Sequence, residues 1–207
     1  MKKFLAFTMA AAMTLSLAAC GGGGDKGGDT SGNTAFKLGG TGPLTGGASI
    51  YGLAAQRGAQ IAVDEINAEG GAIQFELKYE DDVNDPEKAV NAYNALKEWG
   101  MQISLGSVTT QPGIATSSYN FADSIFALTP SASSPDVIEG KDNVYQMCFS
   151  DPNQGLASAQ YISEQNLAEK VFIIWKSDDN YSTGIKDKFM AEAEKLGLNV
   201  VGNATFT

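Results

Sequence analysis

The sequence predicts an α/β fold built on parallel sheets. Three observations carry that expectation. From Ala35 onward, short apolar runs alternate with longer stretches of helical period. Glycine or proline marks most junctions between them, as at Gly70-Gly71, Asp85-Pro86, Gly100 and Asp151-Pro152. One run, Val171-Phe172-Ile173-Ile174-Trp175, is apolar throughout, the pattern of a strand covered on both faces.

Residues 36–39 read as the first strand, leaving into the glycine-rich loop 39–46. A helix follows over about 49–68, with Ala54, Gly58, Ile61, Ala62 and Ile66 at helical spacing as its apolar stripe, and Gly70-Gly71 stop it. Residues 73–79 alternate apolar and polar positions as a second strand. Asp85-Pro86 supplies an N-cap and a proline at the first helical position. That helix carries Val90, Tyr93 and Leu96 and ends near Gly100. Residues 102–105 form the third strand, Thr109-Thr110-Gln111-Pro112 leads into a helix reaching about Phe121, and 124–128 form the fourth strand. Beyond Thr129-Pro130 come a helical turn after Ser134-Pro135, a strand over 144–149, and a helix capped at Asp151-Pro152 that reaches about Leu167. The strand at 171–175, a helix over 183–196 and a strand from Asn199 complete the alternation.

The N-terminus reads as an export signal. Lys2 and Lys3 precede an apolar stretch too short to anchor in a bilayer, and Leu17-Ala18-Ala19-Cys20 resembles the bacterial lipobox. On that resemblance, residues 1–19 are a lipoprotein signal peptide and Cys20 is the lipidated first residue of the mature chain, anchored to the cell membrane on its outer side. Residues 20–34 hold a glycine run and polar residues with nothing apolar to bury, a flexible tether. Residues 35–150 suit one domain, and 151–207 supply too little to cover a second parallel sheet, so the chain is expected to be cut within its second lobe.

Composition excludes several functions. The formal charge is −10, and removing residues 1–19, with two lysines and no acid, makes it −12, which argues against a nucleic-acid partner. The chain has no histidine, so Ser-His, Cys-His and His-ligated zinc chemistry are absent from it, and no G-x-S-x-G nucleophile elbow occurs. The reading is not an enzyme, with no cofactor and no metal. Asp81, Asp82 and Asp85 lack calcium-loop spacing, and Asp85 is explained as a cap. Cys148, within an apolar run, reads as a buried structural thiol.

Several segments together resemble the branched-chain amino acid (leucine/isoleucine/valine) binding proteins. They are Gly42-Pro43-Leu44-Thr45-Gly46, Tyr51-Gly52, Ala62-Val63-Asp64-Glu65-Ile66-Asn67, Tyr79-Glu80-Asp81-Asp82, Gly106-Ser107-Val108-Thr109-Thr110, Leu128-Thr129-Pro130-Ser131-Ala132-Ser133, Asp151-Pro152-Asn153-Gln154-Gly155 and Asn180-Tyr181-Ser182. Each is weak alone, but their order and spacing are specific. The resemblance implies the type I periplasmic-binding fold, two Rossmann-like lobes with a ligand between them. It also implies a monomer that captures a small amino acid, closes over it and delivers it to the permease subunits of an ABC importer. A sensor or scaffold of the same fold, with no transported solute, is the alternative.

In open parallel sheets, ligands collect at the carboxyl ends of strands, beside helix N-termini whose free N–H groups favour an anion. Thr109 and Thr110 fall at such a place, where simple capping is the competing role. The resemblance assigns the ligand carboxylate to Thr110. It gives the loop Ser131, Ala132 and Ser133 contacts with the carboxylate or ammonium, although a turn leading to a cap at Ser134 fits the same residues. It places Tyr51 over the ligand side chain and Tyr181 on the opposite side, where half-buried packing is the plainer use of a tyrosine. Asp151 fits either a helix cap or an ammonium partner, and capping is favoured.

Overall fold

The computed structural model describes residues 34–207; the expected signal peptide, Cys20 and the expected linker as far as residue 33 lie outside the described residues. The strands are β1 (Thr34–Gly42), β2 (Ile73–Asp81), β3 (Ile103–Ser107), β4 (Phe126–Thr129), β5 (Val144–Gln146), β6 (Val171–Lys176) and β7 (Val200–Phe206). The helices are α1 (Ser49–Ala68), α2 (Pro86–Trp99), α3 (Thr110–Ala122), α4 (Asp151–Glu164) and α5 (Asn180–Leu196), with a 3-10 turn (Pro135–Val137) between β4 and β5. Every strand pair is parallel, as the alternation predicts. One sheet runs β2-β1-β3-β4-β5 and the other pairs β6 with β7.

The chain steps from β1 to β2 on one side, then back across β1 to β3. Right-handed crossovers therefore put α1 on one face of the five-stranded sheet and the packed pair α2 and α3 on the other. Tyr93 and Leu96 of α2 bury against Met101, with Trp99 and Ile125 around them. Ala127, Ala132, Val137 and Val144 form a second apolar cluster under the 3-10 turn, and Ala159, Phe189 and Ala193 join α4 to α5 over β6 and β7.

The caps follow the sequence at α2, where the Asp85 carboxylate accepts from Lys88 N at 2.9 Å and Gly100 closes the helix at φ 94°. Elsewhere the structure corrects the expectation. β1 runs on through Gly39–Gly42, which read as loop. It lies centrally, between β2 and β3, and its glycines admit close neighbours: a Cβ on Gly39 would overlap Met101 Sδ, and one on Gly40 the Tyr79 ring. The expected apolar stripe of α1 faces outward, with Ile61 58% and Ile66 44% exposed. The buried face instead carries Gly52 and Val63. Its roll is fixed at both ends: Gly52 sits against the Pro43 carbonyl, and the Asn67 amide exchanges two 2.8 Å hydrogen bonds with the Phe75 backbone on β2.

Asp151 does not cap α4. Ser150 occupies the N-cap position, and the Asp151 carboxylate turns inward to accept from Ser133. α5 begins three residues earlier than periodicity suggests, because Asp179 caps it by accepting from Ser182 N at 3.0 Å. β5 stops at Gln146, and Cys148 is only half-buried, its thiol 3.6 Å from the Ala132 carbonyl.

Two helical glycines give opposite expectations. Gly155 packs α4 onto α5, where a Cβ would overlap the Ile185 carbonyl, whereas Gly58 on α1 has nothing within reach. Gly155→Ala should force the helices apart and destabilise by about 1–3 kcal/mol. Gly58→Ala should stabilise by about 0.5–1 kcal/mol, since it meets no contact and improves helix propensity. Urea unfolding midpoints of the two variants check both signs.

Candidate functional site

β1, β3 and β4 reach the same edge of the sheet, and buried hydroxyls hold their ends in place. Thr41 Oγ1 lies 2.5 Å from Ser107 Oγ, which lies 3.0 Å from Thr116 Oγ1, and Thr116 donates on to the Pro112 carbonyl. This chain anchors the first turn of α3 to β1 and β3. Thr129 donates to the Ser107 carbonyl at 2.7 Å while accepting from the amides of Ala132 and Ser131. The loop after β4 is thereby tied to the end of β3. Gly106, at φ 63°, allows the approach, because a Cβ there would lie 2.9 Å from Thr129.

Above this frame lies a cavity of about 270 Å³. Thr109, Thr110 and Gln111 from the start of α3 line it, with Ser131 and Ser133 from the loop after β4. Tyr51 and Ala48 close one side and Tyr181 and Asp179 the other. Six of the seven ligand positions named from the sequence, Tyr51, Thr109, Thr110, Ser131, Ser133 and Tyr181, thus converge on one space. Ala132 does not line it: the residue is fully buried in the cluster beneath, and its carbonyl accepts from Gln146 Nε2 at 2.7 Å. Asn84, Gln111 and Asp179 were not anticipated. Asn84 has φ 60° and sits in an Asx turn, its amide donating to Asp82 Oδ1 at 2.9 Å; the Asp81-Asp82-Val83-Asn84 run is the signal that could have marked it. Asp179 was findable as a helix cap three residues before Ser182.

The wall at α3 donates. Thr109 is the N-cap residue yet makes no side-chain capping bond, and its buried Oγ1 has no partner among the described residues. Thr110 Oγ1 accepts from Ser133 N at 3.2 Å, which leaves the threonine proton available. The first amides of α3 add donors, since helix N–H groups at the N-terminus lack partners within the helix. Among the described residues no lysine or arginine lines the cavity, and Asp179 is the one charged residue that does. A bond from Gln111 Nε2 to the Asp178 carbonyl, 2.7 Å, links α3 to the loop before α5. Among the described residues no acidic or cysteine cluster is arranged to hold a metal ion.

Two acids, Asp81 at the end of β2 and Asp82 just after it, brace the loops beside the cavity. Burial works to raise the Asp81 pKa, but hydrogen bonds from the Thr45 hydroxyl and the amides of Val83, Leu44 and Thr45 outweigh it and hold the carboxyl below its usual range. Those bonds fasten the loop after β1. Asp82 is wholly enclosed, with one oxygen unpartnered among the described residues. Burial pushes its pKa to about 6, against the lowering effect of the Asn84 amide.

A cleft of this kind, at the carboxyl ends of a parallel sheet, coincides with a family match over residues 35–207. The chain belongs to the periplasmic binding protein family. Among periplasmic binding proteins, it is 33% identical over 168 residues to the Leu/Ile/Val-binding protein BraC3 of Rhizobium johnstonii, covering 80% of this chain and 46% of that one. The structure of the branched-chain amino acid transporter substrate-binding protein LivJ of Streptococcus pneumoniae, solved with isoleucine, is similar at TM-score 0.78 and 28% identity, over 84% of this chain and 50% of that one. A type 1 periplasmic binding protein of Bordetella pertussis shares the fold at TM-score 0.75 and 24% identity, over 84% and 49% of the two chains. The chain spans about half the length of the relatives it matches. These relatives are named as binding proteins, not enzymes, and the type I periplasmic-binding fold is the one expected from the sequence.

The enclosed Asp82 gives a pH-dependent stability. Its folded pKa, about 6, lies above the unfolded value of 3.8, so between those values the folded chain binds the extra proton. Stability from this group is therefore greatest below about pH 4 and falls as pH rises to about 6. Asp82→Asn should stabilise the protein at pH 7.5, on the order of 2–3 kcal/mol, with the difference fading by pH 4. Thermal melts of both proteins across that range test the sign.

Proposed function

We propose that this chain is the solute-binding lipoprotein of an ABC importer, capturing a small amino acid, branched-chain or related, and presenting it to the permease. The observation that carries the reading is the convergence of Tyr51, Thr109, Thr110, Ser131, Ser133 and Tyr181 on one cavity, from both sheets' loops, around a helix N-terminus. Donors without a full positive charge suit a carboxylate: α3 offers amides and hydroxyls, and its dipole adds about 0.3–1 kcal/mol. Asp179 and the Ser133 oxygen suit an ammonium group. Rings at Tyr51 and Tyr181 flank the space left for a side chain. The names of the relatives, Leu/Ile/Val-binding protein and branched-chain amino acid transporter binding protein, support the ligand class.

Mechanistically, the ligand would seat first against α3 and the loop after β4. Movement of the β6–β7 unit would then bring Tyr181 and Asp179 over it and expel water. The closed state gains population only by as much as the ligand binds it better than the open one. The permease would read that closed state, with the chain held at the outer membrane surface by lipid on Cys20.

A thermal-shift screen with the twenty L-amino acids, run on the protein with both lobes complete, tests the ligand class. A ligand at a hundred times its Kd should stabilise by about 2.7 kcal/mol. Thr110→Ala should weaken the responding ligand about ten- to a hundredfold, the loss expected for a hydrogen bond to a charged group. If no amino acid shifts the melt, or if Thr110→Ala binds as tightly as the wild type, the transport reading is wrong. For the anchor, Cys20→Ala should move the protein from the membrane fraction to the soluble one; continued membrane association would remove the lipid assignment.

A further inference from the structure

One end of the cavity has no part in holding the two charged groups of an amino acid. The strands run in the order β2-β1-β3-β4, and the segments that follow them line the cavity: Asn84 after β2, Ala48 and Tyr51 after β1, Thr110 after β3 and Ser131 after β4. A carboxylate seated at Thr110 and the first turn of α3 therefore lies two strands from Asn84, roughly 10 Å at the usual strand spacing. Between those ends the lining is apolar and aromatic, from Val108, Ala48 and Tyr51. At Asn84 it becomes polar again.

The backbone at Asn84 is held firmly. Val83 at φ 52° and Asn84 at φ 60° are two successive residues in the left-handed region, a costly arrangement without glycine. Two carboxylates fix it: Asp81 Oδ1 accepts from Val83 N and Asp82 Oδ1 from Asn84 N, each at 2.9 Å. The turn is fastened to β1 by Asp82 N, which donates to the Gly42 carbonyl at 3.0 Å, and to the loop after β1 by the Leu44 amide, which donates to Asp81 at 2.8 Å. Asn84 lines the cavity, yet its side-chain carboxamide has no hydrogen-bond partner among the described residues. The turn alone does not call for that carboxamide, since glycine or aspartate also accepts left-handed backbone.

We propose that Asn84 is a specificity-determining residue whose carboxamide receives the end of the ligand side chain, so that the cavity prefers an α-amino acid with a long, neutral, hydrogen-bonding side chain, of the glutamine type. The proposal rests on the amino-acid reading above. A ligand carboxamide offers an N–H to the Asn84 oxygen and an oxygen to its N–H, so the two amides pair reciprocally. Leucine's side chain stops one atom shorter and has no polar end. It would leave the Asn84 amide unpaired once closure expels water, which is how a polar site rejects an apolar analogue. An acidic side chain would meet like charge at Asp81, whose carboxylate is bonded to the adjoining Val83 amide.

Calorimetry on the protein with both lobes complete tests this with glutamine, methionine, leucine and lysine. Methionine matches glutamine in length without its hydrogen bonds. The wild type should bind glutamine at least about ten times more tightly than methionine or leucine. Asn84→Gly, which keeps the left-handed turn, should bring glutamine and methionine within about threefold of each other. Asn84→Asp also keeps the turn and should raise lysine about tenfold relative to glutamine, because a carboxylate there suits an ammonium-bearing side chain. A wild type that binds methionine or leucine as tightly as glutamine overturns the assignment. So does an Asn84→Gly protein that keeps the glutamine preference, including one that loses every ligand in equal proportion, as a residue that merely forms the turn would. Should Asn84→Gly not fold, the lysine-to-glutamine ratio of Asn84→Asp decides, and an unchanged ratio overturns the assignment. A wild type that binds no L-amino acid at all overturns the amino-acid reading itself.

Discussion

One hydrogen bond joins the two halves of the site: the Ser133 amide donating to the Thr110 hydroxyl oxygen. Thr110 belongs to α3, which follows β3, and Ser133 belongs to the loop after β4, so the bond makes two crossover connections into one surface. The Thr129 hydroxyl reaches the Ala132 and Ser131 amides, and Gln146 and Asp151 bond other groups of the loop, but only this bond ties it to α3 through the Ser133 amide among the described residues. The bond also sorts the chemistry. By taking an amide from Ser133 it leaves Thr110 a donor, and Asp151 takes the remaining proton of Ser133.

The supporting structure under that surface is polar, which is costly inside a protein. Thr41, Ser107, Thr116 and Thr129 are all buried at the carboxyl edge of the sheet, and every one has a partner. A satisfied hydroxyl contributes only about 1 kcal/mol net, whereas an unmet one costs about 1–3 kcal/mol. Such a network therefore adds little stability but tolerates few alternative arrangements. The apolar clusters lie elsewhere, around Leu96 and Met101, under the 3-10 turn, and between α4 and α5. Stability and site geometry are thus divided between different regions, and the oxygens of Asp82 and Asp151 that lack a partner among the described residues both fall in the polar one.

Much of this was legible in the sequence, and what was not has specific causes. Parallel pairing followed from the alternation of strands and helices, and the α2 boundaries from Asp85-Pro86 and Gly100, because those signals are local. The roll of α1 was not, because Ile61 and Ile66 share helical spacing as readily as Gly52 and Val63 do; the decision rests on Asn67 meeting the Phe75 backbone, a contact between two elements. Glycines 39–42 read as loop because their use is to admit Met101 and Tyr79, which no local pattern shows. The cavity-lining hydroxyls were foreseeable from their position after strands. Asp151 was misread as a cap because Asp-Pro is a strong local signal, and its real partner lies 18 residues away. Asp179 was passed over although it caps a helix, since a capping residue can also line a cavity.

Among the described residues, the donors that line the cavity are hydroxyls and amides rather than cationic side chains. An arginine clamp would hold a carboxylate by charge as well as geometry, and charge-assisted pairs are about twice as strong as neutral hydrogen bonds. Here the carboxylate would be held by hydroxyls and the amides of α3, each orienting the ligand but none dominating its release. On the proposed function that is an advantage, because a carrier must surrender its solute to the permease. Selectivity is then left to the arrangement of donors and acceptors, where a wrong partner leaves a buried group unmet.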